Sequence, residues 1–150
     1  GRGSPPLCRG YSSLLQKPVM SAQIWLAYPE RWQCALRAWA EMLIQKDPAV
    51  LAVILYGSLA RGEAHAWSDA DILILLRYST KSFKERIGDF LPYGLPLPVE
   101  AFPYTEAEAQ QMIQSKVGPP FAAAREGYLL AATPEGKSIW EVLRRLGQSE

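Results

Sequence analysis

The sequence contains few of the residues that build metal cages or cross-linked scaffolds. Two cysteines, Cys8 and Cys34, and one histidine are too few for a zinc site with four Cys or His ligands. A secreted scaffold of this size usually carries more cysteine, so we expect two reduced thiols and a cytoplasmic protein. No apolar run approaches the roughly 20 residues that a membrane-spanning helix needs, and we expect no membrane contact.

An excess of charge of one sign is also missing. The 16 basic and 15 acidic residues leave a formal net charge of +1. This balance gives no argument for direct binding to nucleic acid, although it does not exclude a local basic patch. A chain of 150 residues with 49% hydrophobic and 21% charged residues has the size and composition of one globular domain.

The N-terminal stretch differs from the rest of the chain. Gly1 to Pro6 has the composition of turns and linkers, and no apolar region with a signal-peptide cleavage site follows it. Met20 is a candidate start of the natural protein. We therefore expect a flexible segment over residues 1–19 and one folded domain over residues 20–150.

Hydrophobic periodicity predicts seven regular elements in the remainder. They are a helix from Pro29 to about Asp47, strands over 50–56 and 72–76, a helix over 82–91, a strand from Val99 to 102, and helices over 105–116 and 134–146. The apolar stretch over 121–132 is left unassigned. This order predicts an α/β or α+β fold in which helices cover a small mixed β-sheet, with the Val99 strand toward the sheet edge.

The residues with evident chemical potential lie between the first two strands. The first strand ends at Gly57 and Ser58, where the missing Cβ lets backbone N–H groups approach a bulky anion. If Ser58 opens a short helix, its hydroxyl and the neighbouring amides face a phosphate at the helix N-terminus. The pair is therefore a candidate nucleotide-binding turn.

Two aspartates stand at the entry to the second strand. Asp69 and Asp71 are two residues apart, so the alternation of a strand places both carboxylates on one face. Two such charges about 4 Å apart repel by roughly 4 kcal/mol at an effective dielectric constant near 20. Either one carboxyl group is protonated or a cation lies between them, and oxygen ligands select Mg²⁺ or Mn²⁺.

The combination of these two features resembles a known signature. A Gly-Ser pair, ten residues and then Asp-x-Asp are similar to the motif of the DNA polymerase beta-type nucleotidyltransferase superfamily. The fuller pattern Gly-Ser-x-Ala-Arg-Gly and Ser-Asp-x-Asp, here Gly57 to Gly62 and Ser68 to Asp71, resembles its minimal nucleotidyltransferase (MNT) branch. The resemblance implies a polymerase beta-like fold.

The resemblance also implies a catalytic site. In the family, the two aspartates, here Asp69 and Asp71, hold two Mg²⁺ ions, and a third carboxylate on a neighbouring strand binds the metal that activates the nucleophile. Glu100 is the residue that would supply it, although many relatives carry Asp there. ATP is the implied substrate, and AMP passes to a hydroxyl while pyrophosphate leaves.

Other residues of the motif have two interpretations each. Arg61 either contacts the triphosphate or has a structural role, for example by pairing with Asp69. Trp67 either stacks over a nucleobase or covers the end of the sheet. We expect His65 to be exposed to solvent and Ser68 to cap or orient the strand entry.

Two hypotheses about function remain. In the first, the chain is an active enzyme that moves AMP to a protein or small molecule. MNT proteins resembling it commonly pair, as antitoxins, with a small helical HEPN toxin. In the second, it is a non-catalytic module that binds a nucleotide or blocks such a partner sterically, which the Glu at position 100 makes credible.

Overall fold

The computed structural model describes residues 29–63, 69–95 and 97–149. Residues 1–19, expected to be flexible, and Met20 lie outside the described residues. The described part contains nine regular elements. They are α1 Pro29–Lys46, β1 Val50–Tyr56, β2 Ala70–Leu76, α2 Phe83–Asp89, β3 Val99–Thr105, α3 Glu106–Gln114, α4 Gly118–Glu126, β4 Tyr128–Ala132 and α5 Pro134–Gln148.

The four strands form one mixed sheet. Their order is β3-β2-β1-β4, with β1 antiparallel to both of its neighbours and β2 parallel to β3. The strand beginning at Val99 therefore lies at the sheet edge, as the sequence predicts. The α/β class with a small mixed sheet under helices is confirmed as well.

Helices cover both faces of this sheet. On one side, here called the α1 face, Trp32, Leu36 and Trp39 pack with Val53 and Leu55. The opposite side, here called the three-helix face, is covered by α3, α4 and α5. Its buried core consists of Leu51, Ala52, Ile54, Tyr56, Leu73, Leu75, Ala109, Ile113, Ala123, Ala124, Trp140 and Leu143. Because β1 and β2 are buried on both faces, they read as continuous apolar runs.

Two elements were not assigned from the sequence. The helix α4 begins at Gly118, and the stretch Gly118 to Pro120 forms its first turn although it was expected only to end the preceding helix. Proline at the first positions of a helix sacrifices no intrahelical hydrogen bond, which explains this use. The rest of the unassigned stretch contains β4, whose five residues are too short for periodicity to identify.

The prediction of two reduced thiols is wrong for Cys34, which is disulfide-bonded. A count of cysteines does not show whether a given sulfur atom is oxidised. The cysteine content therefore lends no support to a cytoplasmic location. Among the described residues, no helix combines the length and the hydropathy needed to cross a bilayer.

A buried arginine fixes the edge strand. The Arg86 guanidinium, in α2, forms a two-pronged ion pair with Glu108 at 2.6 and 3.0 Å, and it donates to the Pro103 carbonyl at 3.2 Å. This pairing lowers the pKa of the Glu108 carboxyl to about 2. Since Pro103 lies in β3 and Glu108 in α3, Arg86 ties both elements to α2. The strand that carries Glu100 is therefore held on both sides.

The start of α5 lies directly on β1. A Cβ added at Gly136 would overlap the carbonyl oxygen of Leu51 and lie 2.5 Å from its carbonyl carbon. The Thr133 N–H donates to the same carbonyl at 2.9 Å. Glycine is therefore required here by close approach of two backbones.

We predict that Gly136→Ala destabilises the fold by about 3 kcal/mol, because rigid backbone must move to admit the methyl group. Gly88, inside α2, is the matched control, since an added Cβ there meets nothing within 4 Å. Gly88→Ala should instead stabilise by about 0.5–1 kcal/mol through helix propensity. Urea unfolding midpoints measure both, and equal midpoints would contradict the close approach.

Candidate functional site

Three strands bring one residue each into a row on the three-helix face. In the sheet register, Tyr56 of β1 lies opposite Asp71 of β2, and Asp71 lies opposite Glu100 of β3. Neighbouring strands lie about 4.8 Å apart, so these side chains are adjacent. The row is placed where β1 ends, β2 begins and β3 begins.

The central residue of the row touches the glycine that follows β1. Gly57 has a φ of +81°, and a Cβ added there would overlap Oδ2 of Asp71 and lie 3.1 Å from its Cγ. The Asp71 side chain therefore occupies the space that any other residue would fill. This contact joins the predicted turn to the predicted carboxylate pair.

The residues after Gly57 form turns, so Ser58 does not open a short helix. The Arg61 N–H donates to the Gly57 carbonyl at 3.1 Å, and the Glu63 N–H donates to the Ser58 carbonyl at 2.9 Å. Gly62 has a φ of +77°, a left-handed backbone conformation that prevents a right-handed helix from continuing through it. The amides of residues 58–60 donate to no group in the part of the chain that the structure describes. A turn with free amides can still bind a phosphate.

Arg61 pairs with glutamates. Its Nε lies 3.2 Å from the Glu63 carboxylate, and its Nη1 forms an ion pair with Glu126 at the end of α4. Among the described residues, Asp69 makes no ion pair with it. Arg61 nevertheless lowers the pKa of Asp71, so its charge reaches the row. This pairing ties the turn to α4, and contact of Arg61 with a triphosphate stays a prediction.

Burial and negative neighbours shape the electrostatics of the row. Burial raises the pKa of the half-buried Asp71 carboxyl, and the nearby charges of Glu100, Asp69 and Glu126 raise it further. Burial, followed by the charges of Asp71 and Glu100, raises the pKa of the Tyr56 phenol. The site therefore concentrates negative charge in a partly dehydrated place, which favours the approach of cations.

Sequence reasoning missed two participants. Tyr56 was identified only as the end of a strand, because its position opposite Asp71 follows from pairing register. Glu126 lies in the stretch left unassigned, 55 positions after Asp71. It reaches the row because α4 turns into β4 at Gly127, where an added Cβ would meet the Leu55 carbonyl at 2.8 Å. A Glu-Gly pair between two apolar segments is too weak a signal to reveal this.

The donor set fits a hard divalent cation in its chemistry. Asp69, Asp71 and Glu100 offer only oxygen atoms, which Mg²⁺ and Mn²⁺ prefer, and their charges act on one another. In the described part of the chain, however, no three acidic, histidine or cysteine side chains converge into a ready metal cage. Substrate oxygens would have to complete the coordination.

The remaining predicted site residues differ in their exposure to solvent. Gly57 is buried, Ser58 and Asp69 are half-buried, and Glu100 is exposed on the edge strand. His65, Trp67 and Ser68 lie outside the described residues. Their proposed roles therefore stay predictions.

A family model covers most of this site. The model described as the nucleotidyltransferase domain matches residues 36–118, which is more than half of the chain. The match contains the turn after β1, both aspartates and Glu100, whereas Glu126 lies beyond it. No curated protein matches the chain in sequence.

Several solved structures resemble the fold at low identity. A toxin-antitoxin with AMP-PNP is 20% identical, with 70% of this chain and 79% of that chain covered and a TM-score of 0.43. The toxin-antitoxin MntA-HpeT is 18% identical, with the same coverage and a TM-score of 0.44. A candidate nucleotidyltransferase from Sulfolobus solfataricus is 18% identical, with 91% and 96% covered and a TM-score of 0.45. Similarities this distant carry no argument about activity or partners.

We predict that Gly57→Ala rotates the Asp71 carboxylate away and lowers the rate of nucleotidyl transfer by about 100-fold. Small displacements at a reacting site have effects of that size. Gly62→Ala is the matched control, because its φ is equally positive but an added Cβ meets nothing within 4 Å. Both variants should lose a similar stability of about 1–2 kcal/mol. Equal activity in the two variants would show that the Asp71 contact is unimportant.

Asp71→Asn should stabilise the metal-free protein at pH 8, because it removes a charge that burial and three carboxylates oppose. The folded pKa is raised, so the opposing effect is absent below the ordinary value near 3.8 and grows as pH rises through the folded value. We expect a gain of roughly 1–3 °C in melting temperature, allowing for screening of a half-exposed group.

Mg²⁺ or Mn²⁺ should raise the melting temperature of the wild type and leave Asp71→Asn unchanged. Asp89→Asn is the control, since it removes an exposed carboxylate paired with Lys81. A variant at Asp71 that is less stable than the wild type at pH 8, or equally stabilised by the ions, would refute this electrostatic description.

Proposed function

The chain belongs to the nucleotidyltransferase domain family, and on that premise we propose that it transfers AMP from ATP to a hydroxyl on a protein or small-molecule acceptor. The single observation that carries the proposal is the contact between the Asp71 carboxylate and Gly57. It supports the proposal because a carboxylate, the ligand type that Mg²⁺ prefers, touches the turn whose amides would receive a phosphate.

Each part of the site has a role in this reaction. The Gly57 and Ser58 turn binds the triphosphate through its backbone amides. Asp69 and Asp71 would hold Mg²⁺ or Mn²⁺, with Glu100 as the third ligand. Bound there, the ion supplies Lewis-acid stabilisation of the charge that develops on the transferred phosphoryl group.

Bond changes follow from this placement. The acceptor hydroxyl oxygen forms a bond to the α-phosphorus, and the bond from that phosphorus to the bridging oxygen of pyrophosphate breaks. The hydroxyl proton passes to a carboxylate, for which we propose Glu100. That side chain is exposed on the edge strand, where an acceptor can reach it.

The acceptor is proposed to come from a partner protein. The motif from Gly57 to Gly62 and from Ser68 to Asp71 resembles the MNT branch, and this resemblance supports a HEPN-type helical partner in a toxin-antitoxin pair. A cytoplasmic location belongs to the same proposal, because the reaction requires ATP and Mg²⁺.

A specific observation favours a second candidate. The described acidic side chains do not converge into a group of three that could hold a metal ion. Glu100 also stands where many relatives carry Asp. A protein with this arrangement can bind a nucleotide or a partner without turnover, and it would then neutralise the partner by steric occlusion.

A transfer assay separates the two candidates. The protein is mixed with Mg²⁺, the product of the gene beside its own, and ATP labelled at either the α- or the γ-phosphate. We expect the α-label and not the γ-label to become attached to the partner, since AMP is the group that moves. Asp69→Asn and Asp71→Asn should each reduce transfer by at least about 100-fold.

Asp89→Asn serves again as the control carboxylate and should transfer normally, because it lies on α2 in an exposed pair with Lys81. Transfer that persists in Asp69→Asn would reject catalysis by the aspartate pair. Tight binding of the partner without any transfer by the wild type would establish the non-catalytic candidate.

A further inference from the structure

A cavity lies on the α1 face, across the sheet from the row formed by Tyr56, Asp71 and Glu100. Its volume is about 310 Å³, it is open to solvent on one side, and it is lined by the first turns of α1, by Tyr128 at the start of β4 and by residues of the turn after β1. Leu59 and Tyr128 pack into the α1-face core, whereas Asp71 belongs to the opposite face. The cavity is therefore separate from the candidate nucleotide site.

One buried donor at this cavity has no partner among the residues described. Nε1 of Trp32, a residue that is 2% exposed, donates to no group there, whereas the Tyr128 hydroxyl interacts with the Gln33 side chain. Both residues line the cavity. An unpaired buried donor costs on the order of 1–3 kcal/mol, so a ligand that accepts hydrogen bonds is favoured.

Arg37 gives the cavity a positive charge. Arg37 lines it with its guanidinium carbon 6.0 Å from the centre of the Tyr128 ring. One nitrogen of Arg37 donates weakly to the carbonyls of Leu129 and Leu130, at 3.4 and 3.3 Å. Within the described ranges, no carboxylate pairs with Arg37 and none lines the cavity. Its charge is therefore available to an anion.

We propose that this cavity binds a small organic monoanion, a carboxylate on a flat apolar body. The carboxylate pairs with Arg37 and accepts from the Trp32 indole N–H. The apolar body lies against Pro29, Leu59 and the Tyr128 ring. A volume near the lower limit of typical ligand pockets, about 300 Å³, restricts the ligand to a small molecule.

The position of the cavity links binding of the anion to the turn after β1. Leu59, Ala60 and Gly62 line it and also belong to the turn that presents amides to the candidate nucleotide site. An anion seated behind this turn stiffens it, so occupancy changes the affinity for ATP. This coupling rests on the proposed function, whereas binding of the anion does not.

Sodium benzoate is the probe, and benzamide is its neutral control. Binding is read from the indole N–H signals in a proton–nitrogen correlation spectrum, where the Trp32 signal is the one lost in Trp32→Phe. We expect a saturable shift of that signal with benzoate, and at least about tenfold weaker binding of benzamide, because charge-assisted hydrogen bonds are lost. No saturable shift, or equal binding of both compounds, would overturn the site.

Two variants test the residues. Arg37→Gln should weaken benzoate binding by about tenfold or more. Arg125→Gln is the matched control, because Arg125 also lies over an aromatic ring, 5.9 Å from the centre of Phe121, but on α4 away from the cavity. An equal loss in both would overturn the assignment. Since Arg37→Gln also removes bonds to β4, Trp32→Phe measured by calorimetry gives a second test, with several-fold weaker binding expected.

The coupling is tested by measuring the dissociation constant for ATP and Mg²⁺ with and without saturating benzoate. We expect a change of about fivefold or more, as is usual for coupled sites. An unchanged constant overturns the coupling. A protein that binds benzoate but no ATP overturns the proposed function and leaves the anion site supported.

Discussion

The site depends on one close approach, that of a carboxylate to the Cα of a glycine. Asp71 lies in the middle strand of three, and its side chain fills the space beside Gly57 where a Cβ would stand. A strand and a turn that are 14 positions apart in the sequence are thereby held in contact. The contact therefore sets a turn whose backbone amides suit an anion against a strand whose acids suit a cation.

The rest of the fold makes that contact rigid. The strands β1 and β2 are buried on both faces, so neither can slide without exposing its apolar side chains. On the far side, Arg86 holds the edge strand to α2 and α3, which fixes Glu100 opposite Asp71. Beyond β1, Arg61 ties the turn to Glu126. The row is therefore braced at both ends by ion pairs.

Local signals predicted the elements that carry the chemistry, and long-range packing decided the rest. The two buried strands, the capping box that opens α3 and the edge position of β3 follow from neighbouring residues. The helix α4 and the strand β4 depend on contacts between distant segments, which no local pattern encodes. Glu126 was missed for the same reason. Whether Ser58 opens a short helix could not be decided from the sequence, because the positive φ of Gly62 cannot be read from composition.

The balance of charge around the row gives the strongest reason to expect a metal with the nucleotide. Burial and three carboxylates raise the pKa of Asp71, and Arg61, which lowers it, is already paired with two glutamates. A triphosphate brings several more negative charges to this place. Like charges a few ångströms apart in a partly buried site repel by several kcal/mol, more than a few amide hydrogen bonds return. Unless the nucleotide arrives with divalent cations, the same carboxylates that make the site distinctive would exclude it.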